Sequence, residues 1–279
     1  MSGALPAGAV VVPAYLRDSD DVDVLARLLG SLPAVVERVV VVAQAGPAGL
    51  PVLSGLPGDH HLQIIRLASG VGKWPAFAAG LEALAGDEAW VAVLDADGAF
   101  PGHCLEPLAA AMTAGSYGHM IGSRAPDAID LRAPGADGSH LRRHLEAWSN
   151  TLTLLSLGEP AFSEFSGADL QCGLHIFSQP RLEAASADAW PFYGGELQLF
   201  HDSIIAGYPV GFAPIEVAPN AVSTYPIDEI CRGLFGLPFL AATDRGLRER
   251  ALREAPGVYP GWNLDPAALA ADLEPLLAG

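Results

Sequence analysis

The sequence predicts an α/β protein: a mostly parallel, doubly wound sheet flanked by helices, arranged as a single domain with a C-terminal helical extension. Three observations carry that expectation. Short apolar runs alternate with segments of helical periodicity from Ala9 to Leu157, the order of a sheet built from right-handed βαβ crossovers. The run Trp90 to Leu94 passes straight into two carboxylates, Asp95 and Asp97, at the carboxyl end of a strand covered on both faces, where open α/β sheets bind ligands. Finally, 279 residues of which 51% are hydrophobic can bury a sizeable core.

Taken in order, Ala9 to Tyr15 reads as the first strand and Asp18 to Leu32 as a helix. Ser19, Asp20 and Asp21 open that helix, since acids suit a helix N-terminus. Arg38 to Ala43 and His61 to Leu67 are the next strands. Gly72 to Leu84 returns to helical spacing, with Phe77, Leu81 and Leu84 on one face. After the strand Trp90 to Leu94, His103 to Thr113 is helical, Tyr117 to Ser123 strand-like, and Ser139 to Leu157 a longer amphipathic helix. The pattern then becomes less regular: a Gly- and Ser-containing loop Ser163 to Asp169, a strand Cys172 to Phe177, a helix Glu196 to Ala206 and a strand Pro209 to Ile215. Beyond Val217, Pro-rich segments form a wrapping tail that ends in a helix, Pro266 to Leu277.

Composition excludes several functions. Fifteen basic residues stand against 32 acidic ones, a net charge of −17, which opposes attraction to nucleic acid or to anionic lipid. Cys104, Cys172 and Cys231 are few, odd in number and far apart, so neither a disulfide framework nor a Cys-rich zinc site is indicated, and a reducing cytoplasm fits. The amino terminus lacks a signal peptide's basic segment and long apolar core. No stretch reaches membrane-spanning length; Gly233 to Thr243 is too short and is broken by Pro238. Lys73 is the only lysine in the chain.

Two acids one residue apart, followed by a turn at Gly98, can face one hard cation and its bound phosphates. Asp and Gly are equally common in a solvated turn at a strand end, so this stretch alone leaves both readings open. His175 and His201 lack ligand spacing and are not assigned to a metal.

A wider set of motifs resembles the family 2 glycosyltransferases of the GT-A fold, over about Val10 to Val217. Val11-Val12-Pro13-Ala14-Tyr15 is similar to the family's opening strand and loop. Gly72-Lys73 with Ala76 and Gly80 resembles its glycine-lysine loop and helix, and Leu94-Asp95-Ala96-Asp97-Gly98 its metal motif. Gly122-Ser123-Arg124, Arg142-Arg143 with Asn150, Asp169-x-Gln171-Cys172-Gly173, and Glu196-Leu197 before Gly207-Tyr208 are similar to the branch that makes dolichyl- or polyprenyl-phosphate sugars. The resemblance implies a GT-A domain at 1–217, with a nucleotide-sugar half at about 1–125 and an acceptor half at about 126–217, followed by an extension at 218–279. The chain departs from the family where an acidic pair is usual after the second strand, having Ala43-Gln44; Leu16-Arg17 replaces the usual Asn-Glu. Trp74 replaces a small residue after Gly-Lys, which would narrow the donor cleft or stack on a ring.

The implied reaction is inverting transfer of a sugar from a nucleoside-diphosphate-sugar to a phosphate or hydroxyl acceptor. Mg2+ or Mn2+ would be held by Asp97, with Asp95 as second ligand or ribose contact. Pro13, Tyr15, Gln44, Lys73, Asp95 and Arg124 are the implied donor-binding residues. Asp169 and Glu196 are the candidate catalytic carboxylates, and Arg143 and Gln171 the acceptor-binding residues; for Arg142 and Arg143 a solvated helix face is the alternative. The acceptor is either a small molecule or a lipid phosphate. The acidic composition and the lack of a basic amphipathic segment favour a soluble or peripheral one. Two alternatives stay open: a non-catalytic nucleotide-sugar binder, and a sugar-phosphate nucleotidyltransferase, although Pro13 to Arg17 has no glycines for the phosphate loop of the latter; homo-oligomerisation is open too.

Overall fold

Unbroken apolar sequence at Gly8–Leu16 forms β1, the central strand, buried throughout except for Tyr15. A computed structural model describes residues 5–53, 55–57, 60–84, 86–125, 139–179, 194–218 and 227–277. β1 lies parallel to β2 (Val36–Ala45) on one side, and β2 lies parallel to β3 (His61–Leu67). On its other side β1 pairs in parallel with β4 (Trp90–Val93). Adding β5 (His119–Ser123), β6 (His175–Ser178) and β7 (Val210–Pro214), the seven-stranded sheet has the order β3-β2-β1-β4-β6-β5-β7.

The sheet is mostly parallel, as the alternating pattern predicts, with one exception. β6 runs antiparallel to both β4 and β5, while β5 and β7 are parallel. Among the described residues two helices, Ser139–Leu157 and Glu159–Phe165, lie between β5 and β6, so a helical connection does not by itself make the next strand parallel. β6 also starts later than Cys172, at His175.

Side chains of successive residues leave a strand on opposite faces. Val10, Val12 and Ala14 join one apolar core together with helix α1 (Ser19–Gly30) and helix α3 (Leu105–Gly115), whereas Ala9 and Val11 join a second core with Trp74 and Phe77 of α2 (Lys73–Glu82). Two covered faces explain why these strands are apolar at every position. Asp18 lies outside α1 as its N-cap, its carboxylate accepting from the amides of Asp20 and Asp21 at 3.0 and 3.1 Å. Such a cap stabilises by about 1 kcal/mol.

Helix α4 (Ser139–Leu157) carries the rest of the chain. Beyond it come α5 (Glu159–Phe165), covering part of the segment expected to be a loop, α6 (Gly195–Ile205), and then α7 (Ile227–Phe235), α8 (Pro238–Ala241), α9 (Arg245–Val258) and α10 (Pro266–Leu277). The tail is therefore largely helical before its last helix, contrary to the irregular reading. Pro238 sits in the first turn of α8, where a missing N–H costs nothing, so it opens a helix instead of breaking one. The tail is pinned by Trp148 Nε1 donating to the Arg248 carbonyl at 3.2 Å, by His144 Nδ1 at 2.6 Å from Asp272, and by Tyr259 Oη donating to the Ala168 carbonyl at 3.0 Å. No helix among the described residues is long and apolar enough to cross a membrane.

Helix α2 presses so closely on β1 that a methyl group at Gly80 would overlap Val11 and crowd Val42. Gly80→Val is expected to destabilise the fold by about 1–3 kcal/mol through overpacking. A lower urea midpoint with an unchanged denaturant slope would bear this out; an unchanged midpoint would show that α2 is free to lift off the sheet.

Candidate active site

The carboxyl ends of β1, β2 and β4 open onto one region. There β4 gives way to a turn in which Gly98 adopts φ 76°, a left-handed conformation that favours glycine. Asp97 is exposed, and one of its oxygens accepts from the Ala99 amide at 2.9 Å, which fixes the carboxylate over the turn. Asp95 retains 29% of its side-chain surface.

Lys73, the first residue of α2, organises this region. Its ammonium lies 2.8 Å from Asp95 Oδ1 and 3.0 Å from Glu196 Oε1, and donates to the Gly173 carbonyl at 3.3 Å. These partners come from the end of β4, the first turn of α6 and the segment before β6. Gly173 must lack a side chain, because a Cβ there would run into the Asp95 carboxylate. Burial raises the Asp95 carboxyl and Lys73 opposes it, while neighbouring Asp97 adds to the rise, leaving it at about 6. Burial is the largest influence on Glu196 and would raise it, but Lys73, His175 and the hydrogen bonds it accepts together outweigh burial and hold that carboxyl below its ordinary value. For Lys73 burial works against the charge, and the two carboxylates prevail, so the ammonium is strongly favoured.

Trp74 does not line the cleft, which corrects the expectation that it narrows the donor site or stacks on a bound ring. It is fully buried, packed edge-on against Phe77 and His175, and its Nε1 donates to Glu196 Oε2 at 3.0 Å. The apolar face of α2 draws the indole inward, where its one polar atom needs a partner.

A second network lies behind the first. Arg124, at the end of β5, grips Asp169 with Nε to Oδ2 at 2.6 Å and Nη2 to Oδ1 at 2.8 Å, and reaches Glu146 at 3.1 Å. Arg142 completes the group by donating to Glu146 at 3.0 Å. Side chains of Arg124, Glu146 and Asp169 are at most 5% exposed. For Arg124 burial disfavours the charge, but Asp169 and Glu146 more than compensate. The solvated-face alternative for Arg142 and Arg143 does not hold: Arg142 is 17% exposed in its side chain, and Arg143 donates to the Trp262 carbonyl at 3.4 Å. Gln171 turns its amide nitrogen to Asn150 Oδ1 at 2.7 Å and Ser149 Oγ at 3.0 Å.

The donor-side residues sit at neighbouring strand ends. Tyr15, 49% exposed, pairs in register with Gln44, and its ring lies over Gly70. Gln44 is buried, and its carbonyl accepts from the Val71 and Gly72 amides at 2.8 and 3.0 Å, so it shapes the loop that delivers Lys73. Pro13 is buried within β1. Thus Lys73, Asp95 and Glu196 meet directly, while Asp169 and Arg124 are joined to them through the segment 169–173. Glu146 escaped sequence reasoning, although its position four residues after Arg142 on a helix is the signal for such a pair. The contribution of Tyr259 to the Ala168 carbonyl had no local signal at all.

Asp97 and Asp95 are the groups suited to a metal. Two carboxylates at a strand end fit a hard cation whose remaining positions are taken by phosphate oxygens and water. Among the described residues no cluster of three or more His, Cys, Asp or Glu forms an all-protein cage. His201 stacks on Phe239 instead, and His175 stacks with His119 and Phe177 in the sheet.

The sequence matches the family described as Glycosyl transferase family 2 over residues 9–149. No protein of curated function matches it. Among solved structures, the fold is similar to glucosyl-3-phosphoglycerate synthase from Mycobacterium tuberculosis. The structure of that synthase with Mn2+, uridine-diphosphate and phosphoglyceric acid has 15% identity and a TM-score of 0.57, covering 84% of this chain and 80% of that one. Its structure with Mn2+ and uridine-diphosphate-glucose gives 14% identity and a TM-score of 0.57, with coverage of 86% and 80%. At such identities the likeness is one of fold.

His175 supplies a pH test of the site's packing. Burial is the main influence and lowers its imidazole from 6.5 to about 4. Between those values the unfolded chain takes up the proton and the folded chain does not, so stability should fall as pH drops from 6.5 toward 4. His175→Gln is expected to flatten that part of the urea-midpoint profile. An equally steep acid limb in the variant would place the titrating group elsewhere.

Proposed function

The chain belongs to glycosyl transferase family 2, and on that footing we propose that it transfers a sugar, with inversion, from a nucleoside-diphosphate-sugar to a small phosphate-bearing acceptor in a reaction dependent on a divalent cation. The observation that carries this reading is the convergence of Lys73, Asp95 and Glu196 beside Asp97 at the carboxyl end of β4. That is a place with one point charge for a diphosphate and two acids for a cation. The match to the family supports sugar transfer; the fold shared with a synthase crystallised with Mn2+, uridine-diphosphate-glucose and phosphoglyceric acid supports the classes of donor, ion and acceptor.

In the proposed reaction the bond from the anomeric carbon to the diphosphate oxygen breaks, the diphosphate leaves with the electron pair, and an acceptor oxygen bonds to that carbon; a phosphate oxygen arrives already ionised, whereas a hydroxyl releases its proton to the departing diphosphate or to water. A bound Mg2+ or Mn2+, held by Asp97 and Asp95, would supply Lewis-acid stabilisation of the leaving oxygens. Lys73 adds a fixed positive charge on the same side, and its carboxylate partners hold it there. Tyr15 offers an exposed aromatic face beside the donor, and Gln44 fixes the loop through which Lys73 is presented. Asp169 and Glu196 each have both oxygens engaged, by Arg124 and by Lys73 with Trp74, which suits carboxylates that orient the site. Arg143 and Gln171 lie on the acceptor side of this arrangement.

A small soluble acceptor stands ahead of polyprenyl phosphate because the chain carries a net charge of −17 and its described helices include none able to span a membrane. Glucose transfer from uridine-diphosphate-glucose to phosphoglyceric acid, followed by product chromatography with a short polyprenyl phosphate in parallel, distinguishes the two. Transfer to the lipid phosphate alone would reverse the order. Asp97→Asn should weaken Mn2+-dependent diphosphate binding by at least about tenfold, the scale on which metal sites respond to a lost supporting group. The melting temperature should hold, since Asp97 is exposed. Equal affinity in wild type and variant would make the acidic pair a structural turn.

A further inference from the structure

Lys73 carries the proposed contact with the donor diphosphate, and a long, flexible side chain needs partners to aim it. Asp95, the Gly173 carbonyl and Glu196 supply them, and the direction of Glu196 comes in turn from Trp74, the neighbour of Lys73 on α2. The two carboxylate oxygens of Glu196 face different donors: Oε1 meets Lys73 Nζ at 3.0 Å and Oε2 accepts from Trp74 Nε1 at 3.0 Å. A carboxylate held at both oxygens cannot rotate without giving up one buried hydrogen bond.

The indole is equally fixed. Trp74 is 0% exposed and packed edge-on between Phe77, at 5.7 Å between ring centroids, and His175, at 5.9 Å. On its remaining side Gly195 comes so close that a Cβ there would fall into the indole ring. Gly195 directly precedes Glu196, so the same close approach brings the first turn of α6 onto the indole and sets its N–H opposite the carboxylate. The Lys73 ammonium also lies 5.1 Å from the indole centroid, within reach of a cation–π attraction. One buried side chain therefore touches both members of the Lys73–Glu196 pair.

We propose that Trp74 is a positioning residue of this site, acting through Glu196 to hold Lys73 where the donor diphosphate binds. The proposal deepens the donor reading above and rests on it. Trp74→Phe keeps an aromatic ring in most of the same space and deletes the N–H donor. Freed of that bond, Glu196 can turn, and Lys73 loses one of the three partners that fix its direction.

The test is a double-mutant cycle on Mn2+-dependent binding of uridine diphosphate and guanosine diphosphate, measured by calorimetry. Trp74→Phe is expected to weaken whichever diphosphate the wild type binds by roughly tenfold, the scale of one hydrogen bond to a charged group. In a Glu196→Ala background the same substitution should have little further effect, because Phe keeps a ring beside the ammonium and the lost N–H acted through that carboxylate. Additive losses, or an unchanged affinity in Trp74→Phe, would overturn the proposal and leave Trp74 a packing residue. A wild type that binds neither diphosphate overturns the donor reading first, and this proposal with it. An arm independent of the Phe variant uses the indole N–H resonances of the five tryptophans. Glu196→Gln, which replaces a charged acceptor by a neutral one, should shift one of them markedly and lower diphosphate affinity. Five unshifted resonances would show that the Trp74 hydrogen bond is not made in solution.

Discussion

The ammonium of Lys73, placed between Asp95 and Glu196, is the interaction through which the parts of this protein become a site. It ties the first turn of α2 to the end of β4, to α6 and, through the Gly173 carbonyl, to the segment entering β6. Those elements lie far apart in sequence, and the apolar strands bring them together only because each ends at the same edge. Three glycines permit the approach: Gly80 lets α2 rest on β1, Gly173 makes room for the Asp95 carboxylate, and Gly195 admits the Trp74 indole. One ammonium stands among the carboxylates of Asp95, Glu196 and Asp97, so the site itself is net negative.

Behind this pair, the Arg124–Asp169–Glu146–Arg142 group joins β5, α4 and the segment before β6. Removing one partner from such a buried network strands the rest without solvent, which typically costs about 3–5 kcal/mol. That cost explains why β5, α4 and the segment around Asp169 hold one arrangement. The C-terminal helices extend the same logic outward. They cover α4, and the Tyr259 hydroxyl reaches back to the Ala168 carbonyl next to Asp169.

Much of this was legible in the sequence. Strands with both faces covered read as unbroken apolar runs, so β1 to β4 emerged in order, and the acids after Trp90 to Leu94 fall at the edge where Lys73 and Glu196 gather. What escaped follows from physics that does not act locally. The antiparallel direction of β6 depends on where it enters the sheet, not on its own residues. The indole of Trp74 turns inward beside Phe77, three residues on along the same helix face, a spacing legible in the sequence; His175 and the missing Cβ of Gly195, both distant along the chain, were not. Arg142 and Arg143 read as solvated because the helices that cover α4 lie about a hundred residues further on. Prolines in the tail suggested irregular chain, although Pro238 lies where a helix accepts it.

The central claim is that Lys73, Asp95 and Asp97 form one diphosphate-and-cation site, and a crystal structure with Mn2+ and the bound nucleoside diphosphate tests it most directly. The account predicts anomalous density from the ion beside Asp97 and Asp95, with Lys73 Nζ within hydrogen-bond distance of a diphosphate oxygen and still against Glu196. An ion and diphosphate bound elsewhere, with the Lys73–Asp95 pair unchanged from its 2.8 Å contact, would contradict it.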